Sequence, residues 1–178
     1  KQQSHLASKY SLKQAIMELG PSGYPFEKFV AGVLKSYGYQ VEVGQMIQGK
    51  CITHEIDVIA EKGNEHFMIE CKFHNRSGIK VDIQTALYTY ARFLDVKGAW
   101  IELPGHRIKF HQPWLVTNTK VTSEVKTYGQ CVGLKILSWD YPEGESLRFL
   151  IEKSHLHPLT CLTSLSRTEK SRLLEAGF

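Results

Sequence analysis

Apolar residues recur every three or four positions from Ser11 to Leu19, where Leu12, Ala15, Ile16 and Leu19 form one stripe, and this spacing predicts an opening helix. Gly20-Pro-Ser-Gly23 interrupts it. A second helix is predicted over Pro25–Tyr37, with Phe26, Phe29, Val30, Val33, Leu34 and Tyr37 apolar and Gly38 as its terminator. The period then shortens to two. Gln40–Gln48, Thr53–Ala60 and His66–Phe73 read as strands, and the last two flank the turn sequence Glu61-Lys-Gly-Asn-Glu65. Helical spacing returns over Asp82–Leu94, through Ile83, Ala86, Leu87, Tyr90 and Phe93. A short buried strand is predicted at Gly98–Ile101, a polar and basic stretch at Pro104–Gln112, a strand at Trp114–Val116, a helix at Thr122–Tyr128 and a strand at Leu134–Leu137. That order predicts a mixed central β-sheet flanked by helices, an α/β fold built around one sheet.

Three regions follow. Residues 1–20 form an N-terminal helix or linker, 21–141 the core, and 142–178 a C-terminal helical extension. In the extension Leu147–Ile151 is apolar, His155–Pro158 breaks the chain, and Leu162–Leu174 reads as a helix docked on the same core, with a small separate attachment as the alternative.

A two-residue turn at Gly63-Asn64 would pair Lys62 with Glu65. Counting outward puts Asp57 opposite Glu70 and Glu55 opposite Lys72. Since side chains alternate along a strand, Glu55, Asp57, Ile59, Met68, Glu70 and Lys72 are expected on one face, and Ile56, Val58, Ala60, Phe67, Ile69 and Cys71 on the other. The second set is a core face. The first carries chemistry.

Composition narrows the class without choosing the function. A hydrophobic fraction of 42% and a charged fraction of 22% over 178 residues suit a globular protein of one domain. The net charge of +4 permits a polyanionic partner but does not require one. Cys51, Cys71, Cys131 and Cys161 form no C-x-x-C pair, and neither a signal peptide nor a long apolar run is present, so a reduced, cytoplasmic location is expected. The chain starts at Lys1 rather than Met, which is expected of a piece of a longer protein.

Two facing carboxylates and a lysine suit phosphodiester hydrolysis, which needs an activated water and a place for charge to develop on phosphorus oxygens; a divalent cation supplies both. Mg²⁺ takes oxygen ligands, one or two of them carboxylates. Asp57 and Glu70 are the candidate metal ligands, with the main-chain carbonyl of Cys71 as a third. Lys72, two residues beyond Glu70, would handle the attacking water and offset charge in the transition state, with Glu55 as its neighbour.

Asp57 followed by Glu70-Cys71-Lys72 resembles the D...(D/E)-x-K signature of the PD-(D/E)xK nuclease superfamily, with Ile56 where a proline often stands. Gln84-Thr-Ala-Leu-Tyr88 resembles the Q-x-x-x-Y element of RecB-like and Mrr-like members, and Gln84 and Tyr88 share a helical face. The likeness spans about Ser11 to Tyr141 and is strongest to Mrr-like restriction endonuclease domains. It implies a restriction-endonuclease-like core, Glu27 on the first core helix as a further metal ligand, and Gln84 orienting the water or the phosphate. It also implies Mg²⁺ or Mn²⁺ as cofactor, DNA as substrate, a possible homodimer to cut both strands, and an upstream ATP-cone domain missing from this chain, for which the residues before Leu12 would be the linker.

Other readings compete. A non-cleaving DNA-binding or junction-recognition module would keep the fold, but it gains nothing from carboxylates facing phosphate. A protein-interaction or nucleotide-regulated accessory domain would use none of these residues. Cys51-x-x-His54 and Cys71-x-x-His74 offer four zinc ligands on paper, yet residues three apart on a strand point to opposite faces. His74, Arg76 and Lys80, and separately His106, Arg107, Lys109 and His111, are basic clusters able to grip phosphate or simply to stand in solvent. No P-loop, G-x-S-x-G or H-E-x-x-H motif occurs.

Overall fold

The computed structural model describes residues 12–103, 105–162 and 164–176. The stretch before Leu12 read as a linker lies outside them. Residues 12–17 form helix α1. Helix α2, Tyr24–Ser36, has a proline in its first turn, where no N–H is needed, and buries Phe26, Val30, Ala31, Val33 and Leu34. Gly38, at φ +82°, turns the chain out of it.

Strands β1 (Gln40–Gln48), β2 (Thr53–Lys62) and β3 (Glu65–Lys72) form an antiparallel meander. Helix α3 (Ile83–Val96) then crosses over, with Asp82 at its N-cap accepting from the Thr85 N–H, and β7 (Gln112–Thr117) returns parallel to β3. Helix α4 (Ser123–Val132) makes a second crossover to β9 (Lys135–Leu137). The central sheet is therefore mixed, in the order β1-β2-β3-β7-β9. Its inner strand β7, buried from Pro113 to Thr117, reads as the continuous apolar run of a strand covered on both faces. Short strands β4 (Lys80–Val81) and β8 (Lys120–Val121) pair beside it.

One face packs α2 and helix α5 (Leu147–Ser154) onto Val58, Ala60, Phe67, Ile69, Trp114 and Val116. The other packs α3 onto Ile56, Ile59 and Met68, and α3 with α4 onto Leu115 and Ile136. Leu147 and Ile151 of the extension sit in the first of these clusters, and Thr160 Oγ1 donates to the carbonyl of Ala15 at 2.5 Å. The terminal helix α6 (Arg167–Glu175) starts at a capping box between Ser166 and Glu169.

Three expectations need correction. The segment Gly98–Ile101 is not a buried strand: Trp100 is 61% exposed, and the strand is β5, Ile101–Leu103. The basic stretch after it supplies β6, His106–Ile108, so β5 and β6 form a separate hairpin rather than part of the central sheet. The apolar residues Ile101, Leu103 and Ile108 explain this, because they close over Phe93 and Val96 of α3. Lastly, Ile56 does not share a cluster with Val58; it packs with Ile47 and Ile59 on the α3 side. The β1–β2 ladder skips the pair between Val43↔Val58 and Gln45↔Ile56, where Gly44 adopts φ +66°, and simple alternation fails across that step.

Candidate active site

The hairpin turn behaves as its Gly-Asn sequence requires, with Gly63 at φ +61° and Lys62 paired to Glu65. The β2–β3 ladder runs from there to Val58↔Ile69 and stops. Beyond it β2 remains paired with β1, and β3 with β7, so the two strands part at the point where Asp57 and Glu70 project. The expected direct pairs Asp57–Glu70 and Glu55–Lys72 are absent from the ladder. Asp57 Oδ2 instead accepts the backbone N–H of Cys71 at 2.7 Å.

The opening is filled from both sides. From α3, Arg92 donates through Nη1 to the Glu70 carboxylate and through Nη2 to the backbone carbonyl of Glu55. Arg92 is only 8% exposed, the Tyr88 ring lies 5.3 Å from its guanidinium carbon, and its buried Nε has no partner among the described residues. From α2, Glu27 comes close enough to sense Asp57, Glu55 and Glu70.

These charges raise one another. Burial first, then repulsion from Asp57, Glu55 and Glu70, pushes Glu27 up to about 7. Glu70 is likewise pushed up to about 7, chiefly by burial and by Asp57, against the opposing pull of Arg92 and Lys72. Asp57 is raised by burial, with the Cys71 N–H and Arg92 working the other way. The site is thus an excess of oxygen anions held around one buried guanidinium.

Such a donor set fits a hard divalent cation, which takes carboxylate, carbonyl and water oxygens. Among the described residues no three His, Cys, Asp or Glu side chains stand ready to enclose a metal. Glu27, Asp57 and Glu70 are therefore not a closed three-carboxylate cage, and the fit is that of an open site with one or two carboxylates.

Lys72 is exposed at the end of β3, and among the described residues no ion pair joins it to Glu55. Gln84 is exposed on the first turn of α3, one turn from Tyr88, which is 60% exposed, and two turns from Arg92. Cys71 buries its sulfur in the α2-side core. The four zinc candidates do not assemble: His54 Nε2 lies 2.8 Å from Asp95 Oδ2, His74 Nδ1 lies 3.3 Å from Thr119 Oγ1, Cys51 is exposed and Cys71 is buried. Of the basic clusters, His106 contacts the Glu61 carboxylate at 2.9 Å, and Lys109 sits 4.5 Å over the Trp100 ring. Arg92 is the functional candidate that sequence reasoning missed. Its position four residues beyond Tyr88, continuing the Gln84–Tyr88 face, was the available signal.

A mixed sheet whose second and third strands separate over an aspartate and an E-x-K triplet defines a domain of the PD-(D/E)xK nuclease class. Within that class residues 20–101 match the model of the Mrr catalytic family, described as restriction endonuclease. An uncharacterized protein of Archaeoglobus fulgidus is 40% identical over 149 residues, which cover 84% of this chain and 79% of that protein. The crystal structure of AF1548, a protein of unknown function, superposes with a TM-score of 0.74 at 40% identity, over 88% of this chain and 79% of that one. A repair endonuclease from Pyrococcus abyssi overlaps more loosely, with a TM-score of 0.46 at 14% identity over 66% of this chain and 46% of its own. No helix among the described residues is long and apolar enough to cross a membrane.

Proposed function

We propose that this domain is a divalent-metal-dependent endonuclease that hydrolyses DNA phosphodiester bonds, with Mg²⁺ as its ion and Mn²⁺ as a substitute. The observation that carries the reading is that β2 and β3 part where Asp57 and Glu70 stand, with Glu27 of α2 close enough to feel both charges and Lys72 close enough to act on Glu70. Several carboxylates drawn together and partly buried are costly unless cations offset them, and the Arg92 guanidinium that pairs with Glu70 supplies only one positive charge.

Asp57 and Glu70 would hold the ion, together with the Cys71 carbonyl, and Glu27 would stand next to it. The bound ion supplies water activation and neutralises charge at phosphorus. Lys72, exposed and two residues from Glu70, would orient the attacking water and share the negative charge that develops on the phosphate oxygens. Gln84, at the open N-terminal turn of α3, would hold the water or a phosphate oxygen. With Asp57 Oδ2 accepting the Cys71 N–H, the other carboxylate oxygen is the one that would hold the ion.

Cleavage of plasmid, linear and branched DNA with Mg²⁺ or Mn²⁺ tests this. Wild type should cut, and Asp57→Ala, Glu70→Ala and Lys72→Ala should each lose at least about a hundredfold in rate, as expected when a group that stabilises the transition state is removed. Activity surviving all three substitutions would remove the assignment. Metal-independent retention of branched DNA without cutting would favour a recognition module instead.

A further inference from the structure

We propose that Arg92 is a built-in counter-cation of this carboxylate cluster, and that a divalent ion must compete with its guanidinium for the carboxylate of Glu70. The inference rests on the metal-dependent reading above and concerns what sets the metal affinity. The guanidinium is placed as a cation would be: it contacts Glu70 from one side and the Glu55 carbonyl from the other, so it bridges β3 and β2 where their ladder has ended. The Tyr88 ring covers it, 5.3 Å from the guanidinium carbon.

A purely structural explanation is weak. A buried ion pair is often no more stabilising than apolar residues of the same size, and α3 buries Ala86, Phe93 and Val96 on neighbouring turns without difficulty. What the position favours is positive charge, since the guanidinium contacts Glu70 directly, Asp57 repels Glu70, and Asp57, Glu55 and Glu70 all repel Glu27. Arg cannot lose its proton to relieve crowding, so a second cation entering beside it meets a fixed repulsion. Occupancy would then come only when ion concentration is high or when substrate phosphate draws the guanidinium away.

Mn²⁺ binding to the DNA-free protein, followed by calorimetry or by the loss of free-ion electron paramagnetic resonance signal, separates the possibilities. Arg92→Gln keeps a hydrogen-bonding side chain but removes the charge, and it should tighten Mn²⁺ binding by roughly tenfold or more. Arg92→Lys keeps the charge and should stay within about threefold of wild type. A residue that merely shaped the pocket would do the opposite, weakening the ion when replaced. Binding that Asp57→Ala abolishes, yet Arg92→Gln leaves equal or weaker, overturns the proposal while sparing the nuclease reading. Should Arg92→Gln fail to fold, an Arg92→Lys protein that binds tenfold tighter overturns it as well. No Mn²⁺ binding by wild type, or binding indifferent to Asp57→Ala, defeats the metal reading itself and the role of Arg92 with it.

Discussion

Asp57 Oδ2 accepts the backbone N–H of Cys71 at 2.7 Å, so the side chain of the β2 aspartate satisfies a main-chain donor of β3 just past the end of their ladder. The same carboxylate serves the fold and the proposed chemistry. Asp57→Asn retains an oxygen acceptor for that N–H and relieves the repulsion that raises Glu70 and Glu27. Asp57→Ala leaves the donor unpaired. The Asn variant should be more stable than the Ala variant by about 1–3 kcal/mol, the usual cost of an orphaned buried donor, while both lose cleavage. Denaturant titration of the two proteins checks this, and equal midpoints would mean that the bond contributes nothing.

Gly49 offers a paired test of backbone approach. A Cβ added there would lie 2.2 Å from Asp95 Oδ2 and 2.8 Å from the carbonyl of Ile52, whereas one added at Gly32, inside α2, meets nothing within 4 Å. Gly49→Ala should destabilise by about 1–3 kcal/mol through overpacking. Gly32→Ala should stabilise by roughly 0.5–1 kcal/mol through helix propensity and unfolded-chain entropy. Opposite shifts in urea midpoint are the expected result.

Thiol labelling should resolve three cysteines by environment. Cys131 is exposed and should react first. Cys51 is also exposed, but its hydrogen bond to Asp95 and that residue's charge raise its pKa and keep it protonated, so it should react more slowly. Burial raises Cys71 well above the ordinary thiol range, and it should label only on unfolding. Mass spectrometry of timed, quenched samples gives the order, and early labelling of Cys71 would contradict its place in the core.

The hairpin was legible because Gly63-Asn64 leaves little choice of turn, and the register followed by counting as far as Val58↔Ile69. What counting could not show was where the strands part, since that depends on β3 following β7, a pairing some forty residues distant, and on a left-handed glycine at Gly44. The placement of Ile56 failed for that reason. Arg92 was hidden in a helix whose apolar spacing accounted for its neighbours, and only the three-dimensional meeting with Glu70 distinguishes it from a solvated arginine. Trp100 misled because its size and the short apolar run around it suggest burial, while the residues that do become buried lie one to three positions further on.

Asp95, near the end of α3, pins the turn between β1 and β2. Its Oδ1 accepts the Cys51 N–H at 2.8 Å, and its Oδ2 accepts the Ile52 N–H at 3.2 Å and lies 2.8 Å from His54 Nε2. The His54 bond first, then those from Cys51 and Ile52, holds the carboxyl well below the usual carboxylate range. In acid the unfolded chain therefore takes up a proton that the folded chain still refuses, and protons drive unfolding. The contribution of Asp95 is complete above about pH 4 and is lost progressively as the pH falls below it. Wild type and Asp95→Asn compared by denaturant unfolding from about pH 6 to about pH 2.5 should differ most at the upper end and converge toward the lower. Two curves that stay parallel through the acid limb would show that the bonds around Asp95 are worth no more to its ionised form than water is.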